Sequence, residues 1–204
     1  GLSSSGGTIT GDLTISGDLT VSGGGSLSFD EILEGTQVID VTSTEALLVR
    51  KNGDGGDVFV VDSTNTRVGI GTDAPAGHTE IASNTAGGTD LYVTGHSNSA
   101  NGGSLMFRHS RNTTVGSHTK VESGDLLGRI VFQGSDGDSW GSSSAITSFT
   151  TEAWDDSGLG SELRFYTVDN NSTTQDQRMT IAHDGNVGIG VAPTNAARLQ
   201  LQGA

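Results

Sequence analysis

Two short stretches put glycine at every second position, and this alternation constrains the fold more than any other feature of the chain. The first runs from Phe59-Val60-Val61-Asp62 through a polar turn into Val68-Gly69-Ile70-Gly71 and stops at Pro75. The second runs from Met179-Thr180-Ile181 through His183-Asp184-Gly185-Asn186 into Val187-Gly188-Ile189-Gly190 and stops at Pro193. Each reads as a strand, a turn and a second strand. Period-two alternation sets Val68 and Ile70, and likewise Val187 and Ile189, on one face and leaves the other face bare. A face without side chains lets another backbone approach closely. The expected neighbour is a further copy of the same chain.

Near the start, Gly11-Asp12-Leu13-Thr14-Ile15-Ser16 is followed by Gly17-Asp18-Leu19-Thr20-Val21-Ser22. A fixed short period signals a stacked array. Leu13, Ile15, Leu19 and Val21 cannot form a core alone, but several such strands wound about one axis, or stacked as solenoid rungs, can. Residues 1–26 therefore read as a shaft. Gly23-Gly24-Gly25-Ser26 is a hinge-like linker, and Leu27 to Leu33 is expected to hold one short turn of helix.

The pattern beyond the linker predicts strands at Val38–Val41 and Ala46–Arg50. A hairpin turn follows around Asn52-Gly53, then the first glycine-alternating element, which together make a β collar over 27–83. Residues 84–176 hold strand candidates at Asp90–Val93, Ser104–Arg108, Gly128–Gln133, Ala145–Phe149 and Glu162–Thr167, separated by Gly-, Asn-, Ser- and Asp-rich turns. That spacing predicts a globular antiparallel sandwich-like or barrel-like domain. Residues 177–204 form a second collar, ending in a short helical turn or strand at Asn195–Leu201.

Composition decides between a solitary chain and a shared interior. Leu, Ile, Val and Phe make up 46 of 204 residues, near the ~20% level at which chains stop folding. The strand patterns argue against disorder, so the missing burial is expected to come from association of copies. The net charge of −14, with ten Lys and Arg, argues against nucleic acid and anionic membrane surfaces as partners. No apolar run approaches the ~18 residues of a membrane span. Without cysteine, disulfides and thiolate metal sites are excluded. The opening Gly1-Leu2-Ser3-Ser4 has neither an initiator Met nor a secretory signal, so a missing N-terminal part that anchors the chain is expected.

Candidate chemistry is sparse. None of His78, His96, His109, His118 and His183 has a two-histidine ligand spacing, although threefold symmetry would triple a single one. Asp136-Gly137-Asp138, Asp54–Asp57 and Asp184-Gly185-Asn186 place oxygen ligands around glycine, but turn chemistry accounts for them and none fits an EF-hand. No nucleophile elbow is present; Gly141-Ser142-Ser143-Ser144 is a serine-rich loop. Glu152, Asp155 and Asp156 offer carboxylates that no motif selects as a glycosidase pair. The expectation is a protein without catalytic residues, cofactor or metal. Trp140 and Trp154, both expected in loops, are the best candidates for contacting a ligand, because exposed indoles stack on sugar faces. Their alternative role is to cap a scarce core.

The order of these elements resembles bacteriophage tail-fibre and head-fibre proteins. The likeness is carried by Gly11–Val21, by Ala46–Lys51 with Phe59–Asp62 and Gly69–Thr72, and by Gly128–Phe132 with Arg178–Ile181 and Gly185–Gly190. It implies a mostly β, elongated homotrimer on the virion surface, with intertwined shaft and collars. It further implies attachment to another virion protein on the N-terminal side and recognition of a host-surface glycan or protein. A purely structural decoration fibre is the second expectation, and a polysaccharide depolymerase the third. Trimer packing is expected at Leu13, Ile15, Leu19, Val21, Val68, Ile70, Val187 and Ile189. Two departures from the family stand out: a closing turn one residue shorter in the second element, and no self-cleaving trimerisation chaperone after it. An end at Ala204 fits either release of such a chaperone or truncation.

Overall fold

The computed structural model describes residues 38–51, 56–85, 88–98 and 100–202, and they are all β and irregular structure, with no helix. The expected shaft, with Leu13, Ile15, Leu19 and Val21, and the expected helical turn at Leu27–Leu33 lie outside the described residues. The chain divides into two compact units after Asp90.

The first unit is one sheet of four strands in the order β1-β2-β3-β4: β1 (Leu47–Arg50), β2 (Asp57–Asp62), β3 (Arg67–Ile70) and β4 (Thr79–Ile81). The first three are antiparallel neighbours, and β4 joins β3 in parallel. In β2, β-branched and aromatic residues suit a pleated, half-buried strand. Thr66, at φ 56, reverses the chain between β2 and β3. The turn is fixed by Asp62, whose carboxylate accepts from Asn65 N (2.9 Å) and Asn65 Nδ2 (2.7 Å).

The second unit is one sheet of six strands in the order β10-β9-β8-β7-β6-β5. They are β5 (Leu126–Ser135), β6 (Trp140–Thr150), β7 (Ser161–Val168), β8 (Gln175–Ile181), β9 (Val187–Ile189) and β10 (Leu199–Leu201). Strands β5 to β9 are antiparallel neighbours, and β10 runs parallel to β9. A single mixed sheet thus stands where an antiparallel sandwich was expected. The expected line between 84–176 and 177–204 runs through it, because β8 hydrogen-bonds directly to β7.

Three expected strands are absent: residues 38–41, 90–93 and 104–108 are irregular. Their apolar runs satisfy strand propensity, but that propensity is realised only against a neighbouring edge. Near two of them the backbones do come close. A Cβ on Gly103 would lie 2.3 Å from Val93 O. The C-terminal alternative resolves as a strand, β10.

Candidate functional site

The two glycine-alternating elements have one architecture. In each, a hairpin delivers the Val-Gly-Ile strand, a proline-containing loop doubles back over it, and a three-residue strand joins in parallel. Gly69 pairs with Val60 and Glu80; Gly188 pairs with Thr180 and Gln200. Equivalent backbone bonds recur: Val68 N to His78 O (2.9 Å) and Val187 N to Arg198 O (2.8 Å), then Ala82 N to Ile70 O (2.9 Å) and Gln202 N to Ile189 O (3.0 Å). Gly71 and Gly190 hold φ of 75 and 71, which turn the chain into the loop.

The bare glycine face is not open to another copy, as the sequence had suggested. It is filled from within the chain: a Cβ on Gly69 would sit 2.3 Å from Thr72 O, and one on Gly188 would sit 2.2 Å from Val191 O. The residue opposite each glycine ties the loop down. Glu80 Oε2 accepts from Ala76 N (2.6 Å), while Gln200 Nε2 donates to the carbonyls of Thr194 (2.5 Å) and Ala197 (3.1 Å). Glu80 and Gln200 were not singled out from sequence; their signal is a polar residue at the same place in two short apolar strands.

The opposite face carries the candidate site. Register aligns Leu47, Val61, Val68 and Thr79 in one row across the first sheet and Val49, Phe59, Ile70 and Ile81 in another. In the second sheet one row is Leu201, Ile189, Met179, Phe165, Ile146 and Ile130. Its companion begins Leu199, Val187, Ile181 and Leu163, and ends in Ser148 and Gly128. Directly opposed residues project to the same side, so each sheet has a continuous apolar face. Among the described residues both stay exposed: Ile70 is 40% exposed and Ile189 43%. By contrast, the buried hydrophobics among the described residues are Val60, Val121 and Ala145. In the second unit Phe107 lies against Gly128, where a Cβ would come 2.4 Å from the Phe107 Cβ. A groove of about 290 Å³ opens beside it, lined by Leu127, Ile130, Ile146 and Leu163.

Of the expected packing residues, Val68 and Ile70 share one apolar face, and Val187 and Ile189 share the other. The contribution of β5 to β7 was missed, although Ile130 and Phe132 alternate as strand residues do.

The two tryptophans differ. Trp140 opens β6, opposite Ser135, and is 72% exposed. It stands in a strand rather than a loop because Asp136 closes the hairpin, accepting from Ser139 N (2.7 Å) and Ser139 Oγ (2.9 Å). These bonds lower the Asp136 carboxyl to about 2. Trp154 is half-buried, and its Nε1 donates to Gly160 O (3.0 Å).

Among the described residues no group of three His, Asp or Glu is placed to hold a metal. The Asp184 turn closes on itself: Asp184 accepts from Asn186 N (3.0 Å) and Nδ2 (2.7 Å). A forked ion pair closes the 111–125 segment, where Arg111 Nε and Nη2 each reach a different oxygen of Asp125 at 2.7 Å. That fork, with a bond from Glu122 N, holds the Asp125 carboxyl well below the usual carboxylate range.

No protein-family model and no curated protein matches the sequence. Among solved structures the chain is similar to the carboxy-terminal domain of the bacteriophage T5 L-shaped tail fibre, at 10% identity and a TM-score of 0.41, over 49% of this chain and 36% of that one. It is also similar to that domain with its intra-molecular chaperone domain, at 10% identity and a TM-score of 0.42, over 49% of this chain and 24% of that one. The chain therefore matches about a third and a quarter of the length of these two structures.

Proposed function

We propose that this chain is a segment of a virion fibre. In this reading three copies pack through the apolar faces of the two sheets, the assembly stands on the particle surface, and it recognises a glycan or protein of the host cell. Another virion protein anchors it on the N-terminal side. We assign it no catalytic step, no cofactor and no contact with nucleic acid or membrane interior.

The observation that supports assembly most directly is the pair of exposed apolar faces, set against the three buried hydrophobics, Val60, Val121 and Ala145, of the described residues. Contiguous exposed apolar surface of this kind marks interaction sites, and association supplies the burial that a core-poor chain lacks. Threefold order and the virion setting follow from the resemblance in the shaft repeat and the duplicated strands. Trp140, exposed at the β5–β6 hairpin, is the side chain offered for ligand contact.

Sedimentation equilibrium and host-cell adsorption of the soluble protein test this reading together. A trimer that adsorbs to host cells and blocks infection is the expected result. A trimer that does not adsorb is a decoration fibre, and release of reducing sugar from capsule or lipopolysaccharide would make it a depolymerase. A stable monomer at working concentration would overturn the assembly itself.

A further inference from the structure

Residues 101–110 run on without a turn or bend and join neither sheet. Among the described residues no backbone N–H or carbonyl of 102–108 makes a hydrogen bond within the chain. Water can satisfy those groups, but it does nothing for the side chains they carry: Leu105 and Met106 are each 65% exposed, and Phe107 is exposed beside them. Ser104-Leu105-Met106-Phe107-Arg108 is a short apolar run with polar ends, the pattern of a strand. A second limb lies close by, because a Cβ on Gly95 would come 3.2 Å from Gly103 N. Its Leu91 and Val93 are exposed as well. The two limbs make an apolar arm that has the sequence of a strand and no ladder.

The same unit holds an open edge. The outer strands of the six-stranded sheet are β5 and β10. β10 has three residues and β5 ten. Among the described residues no backbone hydrogen bond leaves β5 on the side away from β6. Leu126–Ser135 contains neither Pro nor Lys, residues that commonly blunt an edge. Its pairing with β6 is regular from Gly128 to Phe132, between two register shifts. Five residues of regular edge thus match the five of Ser104–Arg108. The chain's own limb does not take that place. Phe107 lies over Gly128, where an added Cβ would meet the Phe107 Cβ at 2.4 Å. Since Cβ atoms point out of the pleat, Phe107 is stacked on the face of its own β5 and is not laid along the edge.

We propose that the Ser104–Arg108 limb of one copy adds to the outer edge of β5 in a second copy and lengthens that sheet by one strand. The pairing rests on the reading that copies associate, and it names a contact that joins them. Main-chain hydrogen bonds along the edge supply the affinity, as in other strand additions. Leu105 and Phe107, two residues apart, project to one side of the added strand and continue the apolar face of the receiving sheet. A second copy is the fitting partner because every copy carries one such limb and one such edge. A head-to-tail contact of this kind uses up both, and a rotation closes it into a ring.

Hydrogen exchange of the full-length protein, read together with sedimentation, tests the proposal. In the assembled protein the amides of 104–108 are expected to exchange roughly tenfold or more slower than those of an open loop. Leu105→Pro removes a ladder donor. It is expected to return these amides to open-loop exchange and to weaken assembly, with the far-UV dichroism unchanged, because the Leu105 N–H has no partner within the chain. The chain has no cysteine, so coexpressed copies of different mass can each carry one thiol. Met106→Cys is expected to form an oxidative link with at least one of Ile130→Cys, Val131→Cys and Phe132→Cys in the other copy, and none with Leu201→Cys on β10. A trimer in which 104–108 exchange as an open loop, or which links Met106→Cys to no β5 position, overturns this pairing and leaves the fibre reading in place. A wild-type monomer overturns both.

Discussion

Val60 faces Gly69 across the β2–β3 ladder, so a fully buried side chain lies opposite a residue that has none. The same pairing sets Thr180, 3% exposed, opposite Gly188. In both units the space above the glycine belongs to the carbonyl of the returning loop. Gly69→Ala and Gly188→Ala place a methyl where Thr72 O and Val191 O now sit. Each is expected to destabilise its unit by about 1–3 kcal/mol, the usual cost of overpacking, read as a lower denaturation midpoint in urea. An unchanged midpoint would show that the loop is not seated on the glycine.

Ile70→Asp and Ile189→Asp put a carboxylate in the middle of each apolar face. Burying a charge without a partner is strongly unfavourable, so both variants are expected to lose the assembled species in sedimentation velocity. Ile70→Val, which only trims the side chain, is expected to keep it. Soluble trimer from either aspartate variant would move the contact between copies away from these faces.

Acid should act through Asp125. Arg111 lowers the folded-state value of this carboxyl below its unfolded value of ~3.9. A group depressed in this way contributes stability above the unfolded value and loses it as pH falls through the folded one. Wild type is therefore expected to lose thermal stability progressively below about pH 4. Asp125→Asn should melt lower than wild type at pH 7, and the two curves should converge toward pH 2. Parallel curves across that window would remove Asp125 from the acid response.

Iodide distinguishes the tryptophans. Fluorescence from Trp140 is expected to be quenched readily, and Trp140→Phe to remove most of the quenchable signal, because Trp154 is half-buried and bonded to Gly160 O. Trp154→Phe deletes that bond at a cost of about 0.5–1.5 kcal/mol, measured by chemical denaturation. Equal quenching of both indoles would contradict their different burial.

Much of the fold was legible because the strand code has period two. Val58–Val61, Gly128–Gln133, Ala145–Phe149 and Glu162–Thr167 are all strands, and Val68 with Ile70 marks an apolar face in sequence as in space. What failed was long-range or depended on a neighbour. The apolar runs at 90–93 and 104–108 look like strands but do not join either sheet. The occupant of the glycine face could not be read, because it arrives from Thr72 and Val191, beyond the alternating stretch itself. The parallel joining of β4 and β10 was hidden for a related reason, since a parallel pair commonly needs a crossover of a dozen or more residues, and residues 71–78 make a shorter one.

The shortness of that crossover also sets an order of events. Val68 meets Thr79, and Val187 meets Leu199, so every backbone bond of a clasp is made between near neighbours along the chain. Contacts of low sequence separation form fast. The first clasp can close while the strands of the second unit are still being synthesised. Polypeptides that meet afterwards would then do so as prefabricated parts with their contact surfaces already laid out, and not as loose threads that must find their shape together.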